Sequence, residues 1–236
     1  MIVFPKNWNA VGRHISIKEI SARLYDIVWN INCNALSLSG GLDSSLLLHY
    51  MCLVREPISL KYQPVPIKVF TATRSWTHPD FIFANKVVKY FRKKYPYIDL
   101  EHFTLHIAEG HECNGIELFY KYIAKHTDEI IAGDGIDEFM GGYYDHQFSG
   151  SSRRLTYYER LRDLQKDHLI PLNKVSGKVR VYLPYIDDSL ITLYSQIPLS
   201  EKVDNNTRKI MMVELARGKV PEEVLIRRKY GFCDVS

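Results

Sequence analysis

Three strings in this chain carry residue types that can do chemistry. The first is Ser39-Gly40-Gly41-Leu42-Asp43-Ser44-Ser45. Glycine lets a backbone approach an anion closely and turn its N–H groups inward. A helix opening directly after the glycines adds about half a positive charge at its N-terminus. Ser39, Ser44 and Ser45 add hydroxyl donors. Together these make an anion cradle sized for phosphate. Asp43 repels a phosphate at that place unless a cation lies between them, and Mg²⁺ is the hard ion that takes carboxylate and phosphate oxygens together. The string lacks the Gly-x4-Gly-Lys-Ser/Thr pattern of a P-loop and the Gly-x-Gly-x-x-Gly fingerprint of dinucleotide binding. The plainer reading of such a string is a serine-rich helix cap with glycines for the turn.

The second string is Gly133-Asp134-Gly135-Ile136-Asp137-Glu138-Phe139-Met140-Gly141-Gly142-Tyr143-Tyr144, with three carboxylates inside five residues. Carboxylates clustered on a turn after a strand suit metal binding or acid–base work; a solvated acidic turn capping a helix is the alternative. The third string is Arg227-Arg228-Lys229 near the C-terminus. It is either a basic helix end that complements the dipole or a source of cations for a phosphorylated ligand.

The elements that must position these strings follow from hydrophobic spacing. Ile17, Ile20, Leu24, Ile27 and Val28 recur at helical spacing over residues 17–30. Ala35 to Leu38 is a short apolar run that feeds the first glycine turn, and Leu42 to Val54 reads as a buried helix. The pattern repeats with a strand over 67–71, a helix over 79–95, a loosely alternating segment at 99–105, a helix over 116–125 and a strand over 128–132 that runs into the second glycine turn. Strands alternating with helices predict a parallel sheet with helices on both faces, and the carboxyl edge of such a sheet is where ligands bind. After residue 150 the pattern becomes helical, over 153–168, 188–196, 207–216 and 221–226, with an irregular stretch at 172–183. The expected fold is therefore α/β, a doubly wound, mainly parallel five-stranded sheet with a helical C-terminal lobe. Residues 1–150 would form the nucleotide-binding core and 151–236 the lobe, with Phe148-Ser149-Gly150-Ser151-Ser152 as the boundary.

Composition excludes several classes. The chain has 236 residues, 46% of them hydrophobic and 25% charged, an ordinary globular balance. The 31 Lys and Arg against 27 Asp and Glu leave a net charge of +4, too mild for a nucleic-acid binder with a concentrated basic patch. No apolar run reaches the ~18 residues of a membrane span, and the N-terminus has no signal-peptide core. Cys33, Cys52, Cys113 and Cys233 include no Cys-x-x-Cys pair, which argues for free thiols in a reducing cytoplasm rather than a metal or redox site.

The first string resembles the pyrophosphate loop of the N-type ATP pyrophosphatases (the PP-loop family), and its Leu-Asp-Ser-Ser form looks most like the synthetase domain of asparagine synthetase. That resemblance implies an adenine nucleotide alpha-hydrolase-like fold and a ligase using ATP and Mg²⁺. Such an enzyme adenylates a carboxylate, releases pyrophosphate and passes the acyl group to ammonia or an amine. The second string is similar to the family's Gly-Glu-Gly-x-Asp-Glu-x-x-Gly-Gly-Tyr. By that resemblance Asp137 joins Asp43 on the metal. Ser39, Gly40, Gly41, Asp43, Ser44 and Ser45 hold the pyrophosphate. Leu38, Thr71, Ala132 and Gly133 line the adenosine. Asp134 stands for the glutamate that serves as base toward the incoming amine. Leu183-Pro184-Tyr185-Ile186-Asp187, Asn206-Thr207-Arg208-Lys209, and Ile226-Arg227-Arg228-Lys229-Tyr230-Gly231-Phe232 resemble the later family strings. Lys229 would steady charge on the α-phosphate and the acyl carbon.

Two departures stand out. Asp134 is one methylene shorter than the family's glutamate, and a misplacement of about 1 Å can cost roughly a hundredfold in rate if nothing compensates. Arg180 and Tyr182 stand where the family carries Glu-x-Arg, inverting local charge and putting aspartate in doubt as the acid. Glutamine-dependent members begin with a glutaminase domain whose nucleophile is an N-terminal cysteine, whereas Ile2 follows Met1 here. The nitrogen is therefore expected from free ammonia, another amine, or a separate glutaminase or amine-donor protein. The competing functions are a tRNA-modifying PP-loop enzyme and a nucleotide-binding subunit of a two-chain amidotransferase. His102 with His106, His111 with Cys113, and His146 are set aside as metal ligands, and Tyr157-Tyr158 is expected to pack between lobes.

Overall fold

The computed structural model describes residues 14–59, 65–108, 114–147 and 151–228. Helix α1 (Ile17–Ile31) starts at a reciprocal cap, in which Ser16 N donates to Glu19 Oε2 at 3.0 Å and Glu19 N to Ser16 Oγ at 3.3 Å. Strand β1 (Ala35–Ser37) and helix α2 (Leu42–Ser59) follow, then β2 (Ile67–Thr73), α3 (Pro79–Lys94), β3 (Leu100–His106), α4 (Gly115–Ile123) and β4 (Glu129–Ile131). Beyond β4 come the short helix α5 (Ile136–Met140), a 3₁₀ turn (Tyr144–Gln147), α6 (Ser151–Asp163), a π-helical turn (Leu164–Leu169), α7 (Ile170–Val175) and β5 (Arg180–Tyr182). The chain closes with α8 (Asp188–Gln196), α9 (Leu199–Lys202), α10 (Ile210–Ala216) and α11 (Glu222–Ile226).

The five strands form one sheet in the order β3-β2-β1-β4-β5, and every neighbouring pair is parallel. The winding runs outward from β1 to β3, then restarts on the other side of β1 with β4. That reversal is the topological switch point of a doubly wound fold. Parallel strands are buried on both faces and so read as near-continuous apolar runs; Ile67, Val69 and Phe70 of β2 and Ile130 and Ile131 of β4 are fully buried. The fifth strand is a correction to the expectation that 172–183 is irregular. Its three residues are too few and too mixed to show a period, and only pairing with β4, Glu129 opposite Arg180 and Ile131 opposite Tyr182, makes them a strand.

The chain divides into two compact units. One unit holds Val28–Ala132, Asn173–Tyr182 and Ala216–Ser236; the other holds Met1–Ile27, Gly133–Leu172 and Leu183–Leu215. The whole sheet lies in the first. The second is helical, and in it α5 packs on α6 and α8, with Phe139, Met140, Tyr157, Leu161, Tyr185, Leu190 and Tyr194 as its buried centre. Tyr157 is therefore a core residue of the helical unit, its hydroxyl donating to Phe139 O at 2.9 Å. Of the expected boundary string, 148–150 lie outside the described residues, while Ser151 and Ser152 open α6.

Cys33 and Cys52 are free, and burial pushes both thiols up to about 12, which makes them inert as nucleophiles. His111, Cys113 and Cys233 lie outside the described residues. Among the described residues no helix is long and apolar enough to cross a membrane.

Candidate functional site

In the sheet unit, β1 and β4 are adjacent and parallel, so both open at the same carboxyl edge. The chain leaving β1 is tied to β2: Leu38 N donates to Phe70 O at 2.8 Å, and Thr71 Oγ1 donates to Leu38 O at 2.8 Å. Thr71 Oγ1 also lies 2.9 Å from His102 Nε2, and burial holds that imidazole down to about 4. The glycine turn then bends under α3. Gly40 has φ +68°, and a Cβ there would stand 2.3 Å from Ala84 N and 2.7 Å from Phe83 C, both backbone atoms. No residue other than glycine fits.

Inside the turn the serines bind one another. Ser39 N donates to Ser44 Oγ at 3.2 Å, the two hydroxyls are 3.2 Å apart, Gly41 N donates to Ser39 Oγ at 3.3 Å, and Ser44 Oγ reaches Gly41 O at 3.4 Å. Ser39 and Ser44 thus shape the turn as well as offering donors. Ser45 Oγ is buried and has no hydrogen-bond partner among the described residues. The first amides of α2 have no intrahelical acceptor, and Asp43 sits in that first turn.

Arg227, just past α11, braces the same turn. Its Nη1 donates to Gly40 O at 2.9 Å and Ser39 O at 3.4 Å, its Nη2 pairs with Asp80 Oδ1, and its guanidinium stacks 4.6 Å from the Phe83 ring centroid. Arg227 thus binds the carbonyls of Ser39 and Gly40, while the amides of Ser39 and Gly41 are taken by the serine hydroxyls. Asp80 is fixed in turn at the start of α3, where its N–H donates to His78 Nδ1 at 3.1 Å. The sequence placed Arg227 in a basic string without this role, because the carbonyls it holds lie nearly two hundred residues earlier. Lys229, with Tyr230, Gly231 and Phe232, lies outside the described residues.

In the helical unit, the segment from Gly133 to Tyr144 is held by two adjacent basic residues. Lys209 Nζ is 2.8 Å from Asp137 Oδ1, a pair almost wholly buried. Arg208 Nη1 donates to Gly142 O at 2.8 Å, and its guanidinium lies 3.7 Å from the centroid of Tyr144. Gly142 makes this possible: a Cβ there would stand 1.9 Å from Asp137 Oδ1 and 2.4 Å from Lys209 Cε. Glu138 points inward, its Oε1 accepting from Tyr143 OH at 2.6 Å, while Oε2 has no partner among the described residues. Burial pushes its carboxyl above the usual carboxylate range. Asp134 is more open, and its Oδ1 lies 2.7 Å from His168 Nε2. That hydrogen bond holds the His168 imidazolium, raising its pKa against the opposing effect of burial. His146 is fully buried between Tyr143 and Tyr157, and burial lowers its pKa.

His168 and Lys209 are the residues that sequence reasoning missed. No motif marks His168, which sits in the π-helical turn. Lys209 lay within a recognised string but nothing there tied it to Asp137. Arg180 and Tyr182 lie on β5 at the sheet edge, where Arg180 Nη1 donates to Tyr182 OH and Tyr182 OH to Glu129 Oε2, each at 3.2 Å. Their reversed polarity is thus met by a carboxylate on the neighbouring strand.

For a hard divalent cation the donors on hand are single carboxylates, which suits an ion completed by phosphate oxygens. Asp43, in the first turn of α2, is one such carboxylate. Asp137 fits by exchanging the ammonium now on Oδ1. Among the described residues no group of three or more His, Cys, Asp or Glu forms.

A parallel, doubly wound sheet with a serine–glycine turn at its switch point defines an α/β protein of the class that binds ligands at the carboxyl edge of its sheet. The asparagine synthase family model matches residues 34–173 and 164–236, and the chain belongs to that family. The glutamine-hydrolyzing asparagine synthetase of Gallus gallus is 25% identical over 222 residues, a match that takes in 84% of this chain and 38% of the relative. The chain thus spans well under half the length of that relative. Among solved structures, the U34-tRNA thiolase NcsA from Methanococcus maripaludis, with its 4Fe-4S cluster, is similar at a TM-score of 0.43 and 13% identity, covering 91% of this chain and 76% of that one.

Proposed function

We propose that this chain forms amides at the expense of ATP. A substrate carboxylate attacks the α-phosphorus, pyrophosphate leaves, and ammonia or an amine then displaces AMP from the acyl-adenylate. The observation that carries the reading is the Ser39–Ser45 turn at the switch point, moulded by Gly40 and held from behind by Arg227. A turn whose carbonyls are already bound sets the N-terminus of α2 and the serine hydroxyls toward phosphate oxygens before any ligand arrives.

The chain's own groups take these parts. Gly40, Gly41, Ser39, Ser44 and Ser45 bind the pyrophosphate oxygens. Leu38 and Thr71, joined by the Thr71 hydroxyl, would line the adenosine, and Gly133 is assigned there by family resemblance. Asp43 would hold Mg²⁺, which when bound neutralises the departing pyrophosphate; a metal role for Asp137 is what the family resemblance implies. By family resemblance Asp134 would serve the incoming amine, and Lys229 would steady charge on the α-phosphate. The nitrogen comes from ammonia, an amine or a separate donor protein.

The test is ATP–pyrophosphate exchange with Mg²⁺, screened over carboxylic acids beginning with L-aspartate. At least one acid should support exchange, and Asp43→Asn should abolish it while leaving the melting temperature close to wild type. Absence of exchange with every acid, or full exchange in Asp43→Asn, defeats the reading.

A further inference from the structure

We propose that His168 is the proton acceptor for the incoming amine, held in place by Asp134. The inference rests on the amide-forming reading above and adds a residue to it. The segment resembles a family string with a glutamate between its two glycines, where this chain has Asp134, one methylene shorter. An imidazole now stands on that carboxylate: His168 Nε2 lies 2.7 Å from Asp134 Oδ1. The pair reaches further than a glutamate could, because the ring itself carries the basic atom outward.

Three features of the pair fit a base. The His168 side chain is 43% exposed and that of Asp134 28%, so the imidazole is the more open member. With Nε2–H donated to the carboxylate, the tautomer leaves the lone pair on Nδ1, and His168 makes no other side-chain hydrogen bond among the described residues. The same division of labour, a carboxylate orienting an imidazole that moves the proton, serves acyl transfer elsewhere. His168 also sits in a π-helical turn that interrupts the helix between α6 and α7. Such turns recur at functional sites, where they place a side chain that a regular helix would aim elsewhere. The charged groups facing the ring are Asp134, Glu138 and Asp137, all acidic, and all favour the imidazolium once the proton has arrived.

The step balances. The nitrogen of ammonia forms a bond to the acyl carbon, the bond from that carbon to the adenylate oxygen breaks, and AMP leaves with the electron pair. One proton passes from nitrogen to His168 Nδ1, giving the amide and an imidazolium that returns its proton to solvent.

The experiment separates the half-reactions, using the acid that gives the fastest pyrophosphate exchange. Amide formation is then read with ammonia and with hydroxylamine, a less basic nitrogen whose adduct gives its proton to water readily. In His168→Gln and His168→Asn, adenylation should persist. Ammonia-dependent amide formation should fall by about 10²–10⁴-fold, and hydroxamate formation should fall far less. At a fixed concentration of uncharged ammonia, the wild-type rate should rise with pH as the imidazole loses its proton, and both variants should lose that limb. By NMR the His168 ring should titrate at lower pH in Asp134→Asn than in wild type. Wild-type ammonia rates in both variants, or equal losses with ammonia and hydroxylamine, overturn the assignment and leave the amide-forming reading standing. Absence of exchange in the wild type with every acid overturns both.

Discussion

Lys209 Nζ stands 2.8 Å from Asp137 Oδ1, and the missing side chain of Gly142 is what lets them meet. Both glycine turns in this protein are held from a distant part of the chain by a cation, Arg227 at Gly40 and the Arg208–Lys209 pair at Gly142. The backbone of Lys209 is itself left-handed, with φ +53°, a conformation that costs a non-glycine residue free energy. The ion pair and the neighbouring Arg208 contact are what hold it there.

Lys209→Met should therefore leave a buried carboxylate without its cation. Breaking such a pair from one side costs about 3–5 kcal/mol, read as a fall in the urea midpoint. If Asp137 is also a metal ligand, millimolar Mg²⁺ should recover part of that loss in Lys209→Met and almost none in wild type.

Arg227→Ala should weaken ATP binding more than it slows turnover at saturating ATP, because the residue shapes the turn and does not reach the acyl carbon. Arg227→Lys should restore little. An ammonium cannot hold the Gly40 carbonyl and the Asp80 carboxylate at once while stacking on Phe83. A KM for ATP unchanged in Arg227→Ala would remove its role as a brace.

Gly40→Ala puts a methyl 2.3 Å from the Ala84 backbone nitrogen in a left-handed conformation. Backbone cannot step aside as a side chain can. The expected result is a loss of at least about 1–3 kcal/mol in stability and loss of nucleotide binding, measured by thermal melting with and without ATP.

Lys202 gives a pH dependence. It is buried, its Nζ donates to Tyr157 OH at 2.8 Å, and burial alone lowers its pKa from 10.5 to about 7. Between those two values the unfolded chain binds the proton that the folded chain has released. Stability from this group therefore rises with pH from about 7 to 10.5, and below 7 the folded protein carries a buried charge at a cost. In Lys202→Met the urea midpoint should be higher at pH 6, and its rise across pH 7–10 should flatten.

Much of the fold was readable because parallel sheets advertise themselves. The helical spacing at Ile17, Ile20, Leu24 and Ile27 and the apolar run at Ile67–Phe70 each record burial in local order, and the structure has α1 and β2 there. Strand β5 was not readable, since Arg180-Val181-Tyr182 is a strand only through its hydrogen bonds to β4. Residues 173–182 return to the sheet unit after a helical excursion, a long-range step that no local spacing records.

By itself the order of residues determined two glycine turns, each entered from a buried strand, and the acid and hydroxyl groups placed on them. Those are properties of neighbours in the chain. Which cation faces which carbonyl or carboxylate was decided by folding alone: Arg227 meets Gly40, Lys209 meets Asp137, and His168 meets Asp134 across separations of 187, 72 and 34 residues. Local spacing carries no record of such pairs, because their energies come from desolvation and direct contact that exist only once the distant segments have packed.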